Sequence, residues 1–303
     1  MNLQAYISLR VGFMLKKTRA LSFAIIFFAY ILAFAAACWT YGVCSGTPLL
    51  RMLAADAAAT LVVWAFGVAF NNSSVYDPYW SVAPLAILPA WMAVRGGTLS
   101  FLDVLYLIAF FVWGIRLTLN WAFRFYGLAH QDWRYSMYKR NSPKFWFFIN
   151  LFGINLMPTA IVFGGLVPAY FGIFEKGGVN AAVLIGFLLS ILCACIQFAS
   201  DNQMTRFRKA SPEACIEAGL WRISRHPNYL GEVLFWWGIY IMQLGALPQF
   251  WYTAIGPAAI TLLFVFISIP MMERHVSETR PSYTDYKKRV PMLVPWFGRR
   301  LKG

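Results

Sequence analysis

Acidic residues are scarce in this chain. Asp and Glu number 12 among 303 residues, against 26 Lys and Arg, and there are three histidines. Charged residues of both signs make up 13% of the sequence, where soluble domains carry about 25%. That deficit excludes an ordinary soluble core under a solvated charged surface. Cysteine is sparse too. Cys38, Cys44, Cys193, Cys195 and Cys215 give no disulfide framework, and the Cys193/Cys195 pair lies in an apolar run without His or Cys partners nearby. No metal site is therefore expected. No internal repeat is visible, which counts against a transporter built from repeat-related halves.

What the chain has is apolar length. Hydrophobic residues make up 60% of it and the mean hydropathy is +0.58. Eight runs are candidates to cross a ~30 Å hydrocarbon layer: 21–41, 50–70, 79–94, 101–123, 146–171, 179–200, 229–247 and 251–272. The third is short and carries Pro84 and Pro89, so a broken or partly inserted segment is expected there. The first follows Arg10, Lys16, Lys17 and Arg19 and is too long for a signal-peptide core, so it reads as a retained span. The fold expected is all-α, a polytopic transmembrane bundle of seven to eight helices.

Lys and Arg set the orientation. With the N-terminus inside, nearly all of the 26 basic residues fall on inside segments or termini. Arg51, Arg95 and Lys176 fall outside, and Arg116 lies within the fourth span. Both termini are thus expected in the cytoplasm, in a bacterial inner membrane or, in a eukaryote, the endoplasmic reticulum. The net charge of +14 then serves the anionic membrane face or an anionic ligand. Nucleic acid is not expected as a partner, because the basic residues lie between spans. No obligate protein partner is inferred.

Three inside segments are polar, aromatic and basic at once. The first holds Arg124 and Arg134. The second holds Asp201, Arg208, Arg225, Asn228 and Glu232. The third holds His275, Asp285 and Tyr286. Together they can form one cytoplasmic-side cavity suited to a dinucleotide phosphate, with arginines for the phosphates and aromatic rings for a base. Glu232 is the most informative residue. It sits four residues into an apolar run, where an ionisable side chain points to function. Asn228 lies four residues before it and shares its helix face. Arg116 and Asn120 repeat that spacing in the fourth span. Blander readings stand beside these: topology determinants for the loop cations, a helix start for His226-Pro227, a cap for Asn228. Asp56 reads as a boundary or packing residue.

Arg225-His226-Pro227-Asn228-Tyr229-Leu230-Gly231-Glu232 carries a family resemblance. With Tyr76-Asp77-Pro78-Tyr79-Trp80, Arg116-Leu117, Asp132-Trp133-Arg134-Tyr135, Ser200-Asp201, Arg208, Gly219-Leu220 and Asp285-Tyr286, it resembles the steroid 5-alpha-reductase superfamily, in particular its bacterial-type branch. The resemblance runs from about residue 71 to 297. It implies membrane helices over 1–70, then a reductase-like catalytic domain over 71–303. The implied activity is NADPH-dependent reduction of a carbon–carbon double bond conjugated to a carbonyl, in a steroid-like or other lipophilic substrate. It places Arg116, Arg124, Arg134, Asp201, Arg208, Arg225, Asn228, Glu232, His275, Asp285 and Tyr286 around the cofactor. Tyr76 and a protonated Asp77 are candidate donors to the substrate carbonyl, with Glu232 beside them in catalysis. One departure is visible. Trp113 stands where steroid reductases have a tyrosine, and no early Gln-Glu pair is present. Arg225-His226-Pro227 and Tyr286-Lys287-Lys288-Arg289-Val290-Pro291 also resemble the isoprenylcysteine carboxyl methyltransferases. That alternative implies S-adenosylmethionine.

Overall fold

The structure, a computed structural model, describes residues 18–175, 177–211 and 213–295. Arg10, Lys16, Lys17 and Lys176 lie outside the described residues. Helix dominates, and no strand occurs among the described residues. The helices are α1 (Arg19–Val43), α2 (Pro48–Ala69), α3 (Tyr79–Arg95), α4 (Phe101–Arg124), α5 (Trp133–Asn141), α6 (Pro143–Phe174), α7 (Ala181–Ala210), α8 (Pro227–Ala246), α9 (Pro248–Thr279) and α10 (Tyr283–Arg289). All eight expected spans are helical. Six helices, α1, α2, α4, α6, α7 and α9, are long and apolar enough to cross a membrane. The short α3, 17 residues with Pro84 and Pro89 inside it, and the polar-headed α8 are not among the six. Large apolar side chains stand exposed on the long helices, among them Phe27, Phe34, Trp39, Leu188 and Phe266. Such a surface suits lipid rather than water. The protein is an integral, multi-pass membrane protein.

The helix starts follow from local chemistry. Thr18 and Thr47 accept hydrogen bonds from the N–H groups of Leu21 and Leu50, both at 3.3 Å, and Asn180 accepts from Val183 N–H at 3.1 Å. These caps satisfy amides that have no partner within the helix. Pro48, Pro143, Pro227 and Pro248 sit in first turns, where a missing N–H costs nothing. Two long helices also contain π-helical stretches, Ile149–Leu156 and Phe264–Ser268. Each ends two residues before a proline, Pro158 and Pro270. A proline ring clashes with the carbonyl four residues earlier and leaves it without its donor. Widening the preceding turn relieves both problems without breaking the span.

The chain divides into two compact units. The first comprises the residues to Val94 with Leu117–Phe163. Its core contains Ile26, Ala33, Val63, Tyr76, Tyr79, Phe125 and Leu128. Asn72 holds a loop in this core, its amide donating to Leu128 O at 2.8 Å and His130 O at 3.0 Å. The second unit comprises Arg95–Arg116 with the residues from Gly164 onward. Its central contact is α7 against α8. A Cβ on Gly231 would lie 2.6 Å from Gln197 Cγ and 2.9 Å from Cys193 O, and one on Gly238 would lie 2.9 Å from Gly186 O. Only glycine permits so close an approach of two helices.

Candidate functional site

The second unit brings its polar side chains together in two clusters. The first is built on α4, α7 and α8. Glu232 is buried, and it accepts hydrogen bonds from Trp113 Nε1 at 3.1 and 3.0 Å and from Trp236 Nε1 at 2.9 Å. Phe235 stacks on Trp113 at 5.0 Å, and Trp236 meets Trp113 edge-on at 5.1 Å. Arg116, one turn beyond Trp113, pairs with Asp201 at 2.9 Å and donates to Gln197 Oε1. It also lies within electrostatic reach of Glu232. Close packing at Gly231 sets Gln197 against the base of Glu232's turn. The result is one carboxylate, one ion pair and three aromatic rings in a single group.

The second cluster is built on the segment before α8, on α9 and on α10. Glu273 is its centre. It pairs with Arg225 Nε at 2.9 Å, Lys287 Nζ at 2.8 Å and His226 Nε2 at 3.2 Å. The C-terminal segment is bound to the same place. Arg225 donates to Lys287 O at 2.8 Å and its backbone N–H to Pro291 O at 3.0 Å. Tyr286 donates to Trp221 O at 2.5 Å. His226 stacks on Tyr229 with ring planes 6° apart. Burial lowers the pKa of the His226 imidazole from its usual value, against the opposing pull of Glu273. Asn228, in the first turn of α8, has a buried Oδ1 with no hydrogen-bond partner among the described residues. Such an acceptor is costly unless something fills it.

Thus Arg116, Asp201 and Glu232 come together, and Arg225 and Tyr286 come together, with Asn228 on the helix that joins the clusters. His275 is half-buried and outside both sets of contacts given above. Arg208 is exposed on the last turn of α7, and Asp285 is exposed and paired with Lys288 at 3.0 Å. Glu273 was missed by sequence reading. The available signal was an acidic residue at the end of an apolar span, the same signal that marked Glu232.

The remaining candidates lie in the first unit. Tyr76 is buried, with its hydroxyl 2.8 Å from Thr159 Oγ1. Asp77 accepts from Tyr135 OH at 2.6 Å. Burial pushes the Asp77 carboxyl up to about 6, outweighing the nearby Arg134 guanidinium. Arg134 grips Asp132 through two nitrogens, at 2.8 and 3.0 Å. Arg124 is exposed at the end of α4.

These features define a class: a helical membrane protein with a buried carboxylate–aromatic cluster and an ionic cluster at the foot of one helix. Within that class, the chain belongs to the family described as "Protein of unknown function (DUF1295)", which matches residues 63–290. It is 36% identical over 144 residues to methanethiol S-methyltransferase 2 of Bradyrhizobium diazoefficiens, covering 42% of this chain and 52% of that protein. Methanethiol S-methyltransferase 1 of the same organism is 32% identical over 90 residues, 29% of each chain. An uncharacterized protein of Schizosaccharomyces pombe is 23% identical over 262 residues, 77% of this chain and 76% of that one. The chain thus spans about half or less of the two methyltransferases. No solved structure matches the chain.

These findings correct the sequence reading. The resemblance to the steroid 5-alpha-reductase superfamily does not hold, nor does the NADPH-dependent enone reduction drawn from it; the named relatives are methyltransferases. The geometry gives physical reasons. Trp113, which stands where steroid reductases have a tyrosine, is bound to Glu232. Of Arg116, Arg124 and Arg134, expected to bind NADPH phosphates, Arg116 and Arg134 are each bound to a carboxylate, Asp201 and Asp132, and Arg225, expected near the cofactor, is bound to Glu273. The Arg225–Glu232 segment misled because the reductase reading and the methyltransferase reading both draw on its Arg-His-Pro start.

Proposed function

We propose that this protein is a membrane methyltransferase that moves a methyl group from S-adenosylmethionine to the sulfur of a small or lipophilic thiol. The observation that carries the reading is the similarity to three proteins named methanethiol S-methyltransferases, from two organisms. S-adenosylmethionine supplies an electrophilic methyl on a sulfonium and leaves as a neutral thioether. The second unit's side chains fit such a cation. Glu232 offers negative charge beside the packed rings of Trp113, Phe235 and Trp236. The unfilled Oδ1 of Asn228 offers an acceptor for an ammonium or adenine N–H. Asn228 and Glu232 share one face of α8, so one ligand could reach both.

His226 is the base in this reading. Its Nε2 faces the carboxylate of Glu273, which favours the proton on Nε2 and leaves Nδ1 as the acceptor. Burial keeps the ring neutral near pH 7. The thiol proton passes to Nδ1, the sulfur forms the new bond to the methyl carbon, and the old carbon–sulfur bond breaks with its electron pair staying on the departing sulfur. Arg225 and Lys287 hold Glu273 in place for this task. Both termini would lie in the cytoplasm, where the methyl donor is made available.

The test uses the purified full chain in detergent with methyl-labelled S-adenosylmethionine. Transfer of label to methanethiol or a farnesylated thiol is expected, and the donor should raise the unfolding midpoint where NADPH does not. His226→Gln should lower turnover by roughly 10²–10⁴-fold while donor affinity holds. Absence of both label transfer and stabilisation would reject the proposal.

A further inference from the structure

The first unit contains a cavity of about 300 Å³ lined by α1, α2 and α3. Its α1 and α2 walls come from residues 30–59, before the region matched by the family. They also lie on the halves of those helices nearest the Cys44–Thr47 connection. Ala33, Ala59 and Ala86 keep the walls set back, and nearly all of the lining is apolar. One group breaks that pattern. Asp56 lines the cavity yet is 6% exposed overall. Its Oδ1 accepts from Tyr79 OH at 2.6 Å. Its Oδ2 has no hydrogen bond, and the residue has no ion pair, among the described residues. Tyr41, on the same lining, has a buried hydroxyl without a partner among the described residues.

A carboxylate enclosed by apolar walls with no cation beside it is expensive. Arg51, close in sequence, does not relieve it, because that guanidinium is held on the Tyr41 carbonyl at 2.6 and 3.0 Å and over the Tyr41 ring. A donor of positive charge attached to something apolar would complement both the walls and this carboxyl group. Its volume lies at the small end of ligand pockets, too small for a two-chain lipid. We propose that this cavity is a binding site for a single-chain aliphatic amine, with the chain along the alanine walls and the ammonium on Asp56. Tyr41 OH, a donor and acceptor, would take one of the remaining ammonium hydrogens. This site stands independently of the methyl-transfer reading, because its groups belong to the first unit and include none of the second unit's clusters.

The test uses the full chain in phosphatidylcholine nanodiscs with a diazirine-bearing dodecylamine, photolysed and mapped by peptide mass spectrometry. Label is expected on peptides of α1, α2 and α3. Unlabelled dodecylamine should compete at least tenfold better than dodecanol or dodecanoic acid. Asp56→Asn, which keeps the size and the acceptor for Tyr79, should bring amine and alcohol to parity. Ala59→Phe should abolish the label by filling the cavity; if that variant fails to fold, Ala86→Leu is the substitute. Label spread evenly over lipid-facing helices would overturn the proposal. Equal competition by amine and alcohol in the unaltered chain would overturn it as well.

Discussion

Trp113 and Glu232, 119 residues apart in sequence, meet with the indole Nε1 3.0 and 3.1 Å from the two carboxyl oxygens. The contact ties α4 to α8 inside the second unit. It also gives the carboxylate two indole donors, since Trp236 reaches it from one turn along the same helix. A buried carboxylate so supported can face a cation without needing a lysine or arginine in direct contact.

Trp113→Phe should test that support. The ring stack on Phe235 survives and one donor is lost. The expected cost is about 1–3 kcal/mol, read as a lower unfolding midpoint in detergent, with weaker S-adenosylmethionine binding by calorimetry. Combining it with Glu232→Gln should cost less than the sum of the two, because both changes act on one group. Strict additivity would mean that the pair does not cooperate.

Arg116 and Asp201 form an ion pair with about a tenth of each side chain exposed. Arg116→Leu leaves Asp201 without its cation. A loss of about 3–5 kcal/mol is expected. The double variant Arg116→Leu with Asp201→Leu should recover much of it, since the Asp201 charge is removed together with its partner. Denaturant or thermal unfolding of the unaltered chain and the two variants decides the matter.

Glu273 gathers Arg225, His226 and Lys287. Glu273→Gln should loosen the C-terminal segment, raising the rate of proteolysis after Lys287 or Arg289 by about tenfold, equivalent to ~1.4 kcal/mol. Asp285→Asn serves as the control. Its pair with Lys288 is exposed, and exposed pairs contribute little, so proteolysis there should be unchanged.

Asp77 predicts a pH dependence in the first unit. Burial raises its carboxyl from 3.8 to about 6, with Arg134 pulling it down and Asp132 pushing it up. The folded chain therefore holds this proton more tightly than the unfolded one. Its stabilising contribution is complete below pH ~4 and is lost as pH rises through about 6. The unfolding midpoint of the unaltered chain should carry that downward component between those limits. Asp77→Asn should remove it, and Tyr135→Phe should shift it upward by deleting the hydrogen bond that favours the carboxylate.

The membrane character was legible in the sequence because apolar run length needs no partner to be read. All eight expected spans are helices, and the proline-bearing third is the short one. Glu232 was legible for a similar reason: a carboxylate inside an apolar run contradicts its surroundings. Glu273 carried the same signal at the other end of a span but was passed over among the basic residues that follow it. The chemical class was not legible. Arg225-His226-Pro227 begins the segment behind both enzyme readings considered, and comparison with named relatives was needed to separate them.

The sequence by itself determined that this is a many-helix membrane protein with most of its charged residues between the apolar runs. Length, hydropathy and charge are local properties, and each residue carries its share alone. Only the tertiary structure decided which groups meet: Trp113 with Glu232, Arg116 with Asp201, Glu273 with two cations and the His226 imidazole. Pairings between distant segments depend on how helices pack, and here that packing is set where Gly231 and Gly238 let α7 and α8 come close.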